Sequence, residues 1–291
     1  MKNIGVIGLG GMGQALALAL VARGYSVNCY DQRSEALQEM REHGVNALSS
    51  SREVAEGSHL VFTSLPGPAQ VLSAVLDPDV GVLAGLASGA TLIDMSTCTP
   101  DVSDALVPRF TARGAHFLDC PVSGKAPNMT VLIGGKDGAL GEYEPIVREV
   151  STELIYCGRA GSGYATKLLN QHVKYSWYLA SAEALLVAQS MGMDPTIVAG
   201  AIGRSSGGKT GLTDAAEFYL EAGVNRKVHA PASTIHKDMA LAQEMASQAG
   251  VDCPSLDVVA EFFREAVATP FRGEEYIRSA ELLRTLRTHG N

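Results

Sequence analysis

The chain has 291 residues, of which 46% are hydrophobic and 19% are charged, and its formal net charge is −8 at pH 7. This length is sufficient for one large domain or two smaller ones, each with a buried core. The composition is typical of a soluble globular protein, and the negative charge argues against nucleic acid or an anionic membrane surface as a partner.

The cysteines and histidines give no sign of disulfides or of a metal site. Five cysteines are scattered without a C-x-x-C pair, and no two histidines are spaced H-x-x-x-H. Scattered cysteines are typical of a reducing compartment, so we expect a cytoplasmic protein that binds no metal. No apolar run approaches the roughly 18 residues that a membrane-spanning helix needs. The apolar segment from Ala15 to Val21 has no cleavage site after it, so we expect a mature chain that starts at Met1.

A dinucleotide-binding pattern opens the chain: the apolar strand from Ile4 to Ile7, a G-x-G-x-x-G sequence, a helix to about Ala22, and a second strand that leads to Asp31. In this pattern the glycines permit a tight turn, close approach of a pyrophosphate and close packing of the helix on the strand. The helix N-terminus then favours the anion through its free N–H groups and its dipole. A glycine-rich turn without a cofactor is the alternative. The predicted cofactor-binding residues here are Gly8, Leu9, Gly10, Gly11, Met12 and Gly13.

The residues after the second strand bear on the choice of cofactor. Asp31 is expected to accept hydrogen bonds from the adenosine ribose hydroxyls and to repel a 2′-phosphate, which favours NAD. Arg33 could accept that phosphate, so NADP remains possible. Gln32 lies between them and is predicted to contact the same part of the cofactor.

Strands and helices continue to alternate through the first half. This alternation predicts an α/β fold of the Rossmann type, a doubly wound parallel sheet with helices on both faces. The predicted elements are a helix from Ser34 to His43, a strand from His59 to Ser64, a helix from Ala69 to Leu76, a strand from Thr91 to Asp94, a helix from Asp101 to Arg113 and a strand from Ala115 to Leu118.

Ligands of such sheets bind beyond the carboxyl ends of the strands. Turn residues are predicted at that edge, and for Ser96 or Thr97 alone helix capping is the simpler interpretation. The predicted edge residues are Ser64, Leu65 and Pro66, Ser96 and Thr97, and Ser123 and Gly124.

After Gly163 only helical patterns follow, and the first is nearly thirty residues long. A helix of that length suggests a central helix covered by others and by a second subunit. We therefore predict a dinucleotide-binding domain over residues 1–160 and an all-helical domain for substrate binding and oligomerisation over residues 161–291. The predicted helices run from Tyr164 to Met191, Pro195 to Ile202, Leu212 to Glu221, Ser233 to Gln248 and Leu256 to Val267.

The start of the long helix carries four polar residues on one face. Lys167, Asn170, Gln171 and Lys174 recur at i, i+3, i+4 and i+7. Such a face is often simply solvated. The Gly-x-Gly sequence at the start of this helix and the apolar residues between the polar ones favour a functional site.

Five stretches together resemble a known family: Gly8-Leu-Gly-Gly-Met-Gly13, Asp94-Met-Ser-Thr97 with Pro100, Asp119-Cys-Pro-Val-Ser-Gly124, Gly161-x-Gly-x-x-x-Lys167-x-x-Asn170 and Lys237-Asp238. The chain resembles the β-hydroxyacid dehydrogenases, which include 3-hydroxyisobutyrate dehydrogenase and tartronate semialdehyde reductase and are similar to 6-phosphogluconate dehydrogenase. The resemblance covers nearly the whole length. It implies a homodimer or homotetramer and metal-free hydride transfer between NAD(P) and a short 3-hydroxy acid or its semialdehyde.

The resemblance also implies roles for individual residues. Lys167 matches the family's catalytic lysine, Ser123 and Gly124 match contacts to the substrate carboxylate, and Lys237 matches a lysine that closes over cofactor and substrate. A lysine can take the hydroxyl proton, or return it, if burial lowers its pKa toward working pH. Asn170 or Gln171 can orient that amine. Family members often have Asn where this chain has Gln171, so which amide does so stays open.

The segment after Gly124 departs from the family pattern. A second glycine and a longer loop are usual there, whereas here Lys125 follows directly. A cation in a partly desolvated pocket is costly unless an anion meets it. We therefore expect Lys125, with Lys174 or Lys209, to receive a second anionic or polar group of the substrate; the alternative is that these lysines face water.

Two other functions remain open. An imine reductase shares the architecture implied by the resemblance, and a non-catalytic NAD(P)-binding interaction module would share its first half. Both types of protein generally lack the catalytic lysine, so Lys167 favours the dehydrogenase.

Overall fold

The computed structural model describes residues 3–209 and 230–285. The chain divides into two compact units, Met1–His172 and Val173–Asn291. This division lies inside a long helix, twelve residues beyond residue 160, where we predicted the domain boundary. The predicted domain boundary stays a prediction.

The first unit contains a six-stranded parallel sheet, which confirms the predicted Rossmann-type fold. Its strands are β1 (Asn3–Ile7), β2 (Ser26–Tyr30), β3 (Asn46–Ala47), β4 (Leu60–Thr63), β5 (Thr91–Asp94) and β6 (His116–Asp119). They are ordered β3-β2-β1-β4-β5-β6, and every pair is parallel. The strand order reverses between β1 and β4, which is where open α/β sheets bind ligands.

Seven α-helices lie wholly within the described part of the first unit. They are α1 (Gly11–Ala22), α2 (Ser34–Glu42), α3 (Ser51–Glu56), α4 (Pro68–Leu76), α5 (Val82–Gly85), α6 (Pro100–Ala112) and α7 (Glu144–Glu149). The helices α3, α5 and α7 were not predicted from the sequence; they have only four to six residues. Segments this short do not show a clear 3.6-residue period.

Both faces of the sheet are buried, and alternate residues of each strand enter different apolar clusters. Phe62 packs in one cluster and its neighbour Val61 in the other, and both are fully buried. Ile4 and Ile7 of β1 divide in the same way. Strands buried on both faces read as continuous apolar runs, which is why β1, β4 and β5 could be predicted.

A second, three-stranded sheet follows β6. It consists of β7 (Val122–Lys125), β8 (Asn128–Ile133) and β9 (Glu153–Tyr156), with β7 antiparallel and β9 parallel to β8. The expectation that Ser123 and Gly124 form a turn was wrong, because both pair with β8. Gly124 has φ +91°, and a Cβ there would lie 2.7 Å from the Asn128 carbonyl oxygen, so this strand position requires glycine.

The helix α8 (Ser162–Ser190) has 29 residues, begins in the first unit and continues into the second. The second unit also contains α9 (Pro195–Arg204), α10 (Ala232–Gln248), α11 (Pro254–Val267) and α12 (Glu281–Thr285). The helix predicted from Leu212 to Glu221 lies outside the described residues. Glu183 of α8 accepts hydrogen bonds at the start of α11 from Ser255 N (3.0 Å) and Ser255 Oγ (2.6 Å). Across the described ranges, no helix has the length and apolar character needed to cross a membrane.

Candidate active site

A cavity of about 930 Å³ lies at the point where the strand order reverses. Residues that follow β1, β2 and β4 line it, as expected for the carboxyl edge of a parallel sheet. It brings together nine of the predicted cofactor-binding residues: Gly8, Gly10, Gly11, Met12, Asp31, Gln32, Arg33, Leu65 and Pro66.

The glycines of this cavity fit a dinucleotide. Gly8 has φ +87°, and a side chain on Gly13 would overlap the Gly8 carbonyl oxygen, so both positions require glycine. Around Gly10 there is no atom within 4 Å of an added Cβ, which leaves room for a pyrophosphate. The helix α1 begins at the next residue, and its first N–H groups can bind an anion.

Asp31 already has protein partners. Leu9 N donates to its Oδ2 (2.7 Å), and Arg33 Nε donates to its Oδ1 (3.0 Å). Arg33 Nη2 also donates to the Leu9 carbonyl oxygen (3.0 Å). Burial works to raise the pKa of Asp31, but the hydrogen bonds from Arg33 and Leu9 outweigh it and hold the pKa below its usual value. Arg33 N (2.8 Å) and Arg33 Nη2 (3.1 Å) also donate to this carboxylate, so its about four acceptor sites all have protein donors. Ribose hydroxyls can therefore bind Asp31 where the Arg33 side chain releases an acceptor site.

Asp119, at the end of β6, fixes the start of α8. Its Oδ1 accepts from Gly161 N (2.8 Å) and its Oδ2 from Tyr164 N (3.1 Å). The first N–H groups of a helix have no partner within the helix, and a carboxylate also complements the positive end of the helix dipole. Burial raises the pKa of Asp119, and these two N–H donors oppose that rise.

Asp94, at the end of β5, is fully buried and receives hydrogen bonds from three directions. Thr63 Oγ1 of β4 donates to its Oδ1 (2.7 Å), and Ser96 Oγ donates to the same oxygen (2.6 Å). The Tyr164 hydroxyl of α8 donates to its Oδ2. Burial raises the pKa of Asp94, and the hydrogen bonds from Ser96, Tyr164 and Thr63 oppose that rise.

The predicted catalytic residues differ in exposure. Lys167 is buried, with 8% of its surface exposed. Asn170 is exposed and its Nδ2 donates to Oε1 of the half-buried Gln171 (3.4 Å). Lys174 and Lys237 are exposed and belong to the second unit, on α8 and α10 respectively.

The predicted substrate-binding residues of the first unit lie together on β7. Ser123, Gly124 and Lys125 are all exposed. A Cβ built on Gly11 would lie 3.5 Å from Lys125 Nζ, so this amine is close to the first turn of α1. That Lys125 faces the substrate stays a prediction.

The two edge residues after β5 differ. Thr97 is exposed, whereas Ser96 is 3% exposed. The Ser96 hydroxyl accepts from Leu65 N (2.9 Å) while it donates to Asp94. Direct contact of Ser96 with the cofactor stays a prediction; within the protein its hydroxyl holds the loop that lines the cavity.

No role was predicted from the sequence for Asp94, Asp119 or Tyr164. Two features of the sequence could have indicated them. An aspartate ends each of the last two strands of the sheet, and a tyrosine follows the Gly-x-Gly sequence that begins α8. The residues of α4 that line the cavity, among them Gln70 and Ser73, were also missed.

Fold and site together define a dinucleotide-binding oxidoreductase. Residues 3–158 match the family model described as the NAD binding domain of 6-phosphogluconate dehydrogenase. Residues 161–281 match the family model described as NAD-binding of NADP-dependent 3-hydroxyisobutyrate dehydrogenase. The chain belongs to the β-hydroxyacid dehydrogenase family. It is therefore a hydride-transferring enzyme that uses NAD or NADP.

Two curated relatives match most of the chain. The 2-(hydroxymethyl)glutarate dehydrogenase of Eubacterium barkeri is 27% identical over 266 residues, which are 90% of this chain and 88% of that protein. The NAD-dependent L-serine dehydrogenase of Pseudomonas aeruginosa is 30% identical over 280 residues, 91% of this chain and 92% of that protein. Among solved structures, an imine reductase from Pseudomonas sp. matches with a TM-score of 0.84 over 97% of this chain and 99% of that chain. Its identity is 18%, so this likeness concerns the fold alone.

Proposed function

We propose that this protein transfers a hydride between NAD and a short 3-hydroxy acid or its semialdehyde, with Lys167 as the general acid and base. The observation that carries the proposal is the buried lysine on α8, one turn after a tyrosine hydrogen-bonded to the carboxyl edge of the sheet. The names of the two relatives support the substrate class. Both 2-(hydroxymethyl)glutarate and L-serine have a hydroxyl on the carbon beta to a carboxylate.

Each proposed residue has a chemical task. NAD, when it is bound, is the hydride acceptor. Lys167 takes the proton of the substrate hydroxyl during oxidation and returns it during reduction. Asn170 or Gln171 orients the lysine amine, while Ser123 Oγ and the Gly124 N–H hold the carboxylate, as a charge-assisted hydrogen bond can. Lys237 of α10 is proposed to close over the cofactor, and Lys174 to contact the substrate.

The likeness of this fold to that of an imine reductase suggests the competing function. We favour the dehydrogenase because Lys167 supplies a proton-transfer group of the kind that alcohol oxidation needs. The test is to measure NAD reduction with a panel of short 3-hydroxy acids and NADH oxidation with their semialdehydes and with cyclic imines. Activity confined to the imines would overturn the proposal, and cofactor binding without any turnover would indicate the non-catalytic module.

Changing Asp31 to serine is expected to shift cofactor use toward NADP. Asp31 pairs with Arg33 across 3.0 Å, so the substitution both removes a charge that repels the 2′-phosphate and releases the guanidinium to bind it. We expect the ratio of kcat/KM for NADP to that for NAD to rise by about 10-fold or more, since a charge-assisted hydrogen bond contributes about 1.5–3 kcal/mol. A wild-type enzyme that already prefers NADP would contradict the reasoning.

Changing Lys125 to glycine is expected to alter discrimination by substrate charge. If its amine meets a second anionic group of the substrate, the variant loses its preference for di-anionic over mono-anionic 3-hydroxy acids in kcat/KM. Lys136→Gly, an exposed lysine elsewhere in the first unit, is the control. If Lys125→Gly still discriminates between mono- and di-anionic substrates but binds NADH more weakly, Lys125 would instead be assigned to the cofactor pyrophosphate beside Gly11.

We also propose a cytoplasmic homodimer or homotetramer assembled through the helical unit. Large apolar side chains of that unit are exposed, among them Leu186 (52%), Ile197 (70%) and Val258 (71%). Large exposed apolar side chains can mark a subunit interface where they form a contiguous patch. Sedimentation equilibrium of the purified protein tests this, and a monomer at micromolar concentration would contradict it.

A further inference from the structure

The buried carboxylate of Asp94 connects the loop that lines the cofactor cavity to the helix α8, which carries Lys167. The proposed reaction requires these two parts to lie at a fixed distance from each other. On one side, Leu65 N donates to Ser96 Oγ, and Ser96 Oγ donates to Asp94. Leu65 lines the cofactor cavity. On the other side, the Tyr164 hydroxyl donates to the second oxygen of the same carboxylate.

Tyr164 belongs to the helix that carries Lys167. It is the third residue of α8, fully buried, and its ring packs in the apolar cluster that covers one face of the sheet. Lys167 follows three residues later, so the two side chains leave the helix on neighbouring positions of one face. Burial and the charge of Asp94 raise the pKa of Tyr164, so its hydroxyl stays protonated and donates.

We propose that Tyr164 is a positioning residue, which holds Lys167 at a fixed distance from the cofactor cavity through Asp94 and Ser96. The inference rests on the proposed function of Lys167. Asp119 restrains the same helix at its backbone, through Gly161 N and Tyr164 N. The Tyr164 hydroxyl adds a restraint on rotation and translation of the helix that backbone contacts at its first turn do not provide.

Such a restraint matters because proton transfer tolerates little displacement. A general base acts within about 2.6–3.2 Å of the proton that it abstracts. A misplacement of about 1 Å can cost about 100-fold in rate. The lysine side chain is long and flexible, but burial of Lys167 restricts its rotamers, so a shift of α8 moves the amine with it.

The test is Tyr164→Phe, which keeps the ring in the apolar cluster and removes only the hydroxyl. We expect kcat per cofactor-binding site to fall by about 10-fold or more. The dissociation constant for NADH, measured by fluorescence titration of the enzyme without substrate, should change by less than about twofold, because the pyrophosphate site at α1 is untouched. The primary deuterium isotope effect on kcat should rise, since the step that includes proton and hydride transfer becomes slower.

Two controls separate positioning from loss of stability. Thr63→Val removes one hydrogen bond from the same Asp94 carboxylate without touching α8. Tyr143→Phe removes a phenol that donates to the His59 carbonyl oxygen (3.2 Å) in the other apolar cluster. We expect all three variants to have a lower Tm than the wild type. In the two controls, kcat and its isotope effect should be unchanged.

The outcomes are distinguishable. If the wild-type enzyme oxidises a 3-hydroxy acid but Tyr164→Phe keeps its kcat and isotope effect, the positioning role is overturned and the proposed function stands. An equal fall of kcat in Thr63→Val would also overturn it, because loss of any hydrogen bond to Asp94 would then have the same effect without a change at α8. Absence of dehydrogenase activity in the wild type would instead refute the proposed function.

Discussion

Replacing Lys167 with alanine is expected to lower kcat by at least about 100-fold, the usual scale for loss of a general acid–base group. Lys167 is buried in the first turns of α8. The glycines proposed to bind the cofactor lie on a separate element, α1 with its preceding loop. The affinity for NADH should therefore remain within a few-fold of wild type. Steady-state kinetics and a fluorescence titration of NADH measure the two effects separately.

A second substitution distinguishes proton transfer from charge. Lys167→Arg keeps a cation of similar length, but a guanidinium does not lose its proton near neutral pH. We expect it to be as inactive as the alanine variant. Lys136→Ala, an exposed lysine of the first unit, is the control and should keep wild-type kcat. Near-wild-type turnover of Lys167→Ala would show that another group moves the proton.

Replacing Gly163 with alanine is expected to cause a large loss of stability. A Cβ at this position would lie 2.5 Å from the Leu132 carbonyl oxygen and 2.6 Å from that of Asp119. Both are backbone atoms of the two sheets, so neither can rotate away. Overpacking typically costs 1–3 kcal/mol and occasionally more, so we expect about 3 kcal/mol or more. For a unit of this size that lowers Tm by roughly 6–12 °C, which scanning calorimetry measures.

The matched control for this change is Gly203→Ala. Gly203 lies near the end of α9, is exposed, and has no atom within 4 Å of an added Cβ. Alanine in a helix is favoured over glycine by roughly 0.5–1 kcal/mol, so this variant should be as stable as wild type or slightly more so. A similar loss of Tm in both variants would mean that the contact with the sheets is not the cause.

Much of the candidate cofactor cavity could be predicted from the sequence because the relevant constraints are local. Gly8 and Gly13 are required by the turn between β1 and α1, which spans only a few residues. The strand β5, from Thr91 to Asp94, begins and ends as predicted, because it is buried on both faces and reads as an apolar run. The length of α8 could be read in the same way, from helical periodicity that continues without a break.

Predictions failed where a residue's state depends on a partner distant in the chain. Ser123 and Gly124 were interpreted as a turn, since four residues containing serine and glycine do not show a strand pattern; they form β7 only because β8 pairs with them. In the same way, the sequence suggests opposite effects of Asp31 and Arg33 on cofactor choice. It does not show that the two side chains pair and that each also contacts Leu9, 22 or more residues earlier.

The sequence by itself therefore determined the dinucleotide-binding fold, its edge and the lysine that α8 carries, because these follow from glycine geometry and from periodicity within single elements. Only the tertiary structure decided how α8 is held against the sheet. Tyr164 donates to Asp94 across 70 positions of the chain, and Gly161 donates to Asp119 across 42. Hydrogen bonds at such separations form when packed strands and helices bring their ends together, and local sequence patterns do not specify which ends meet.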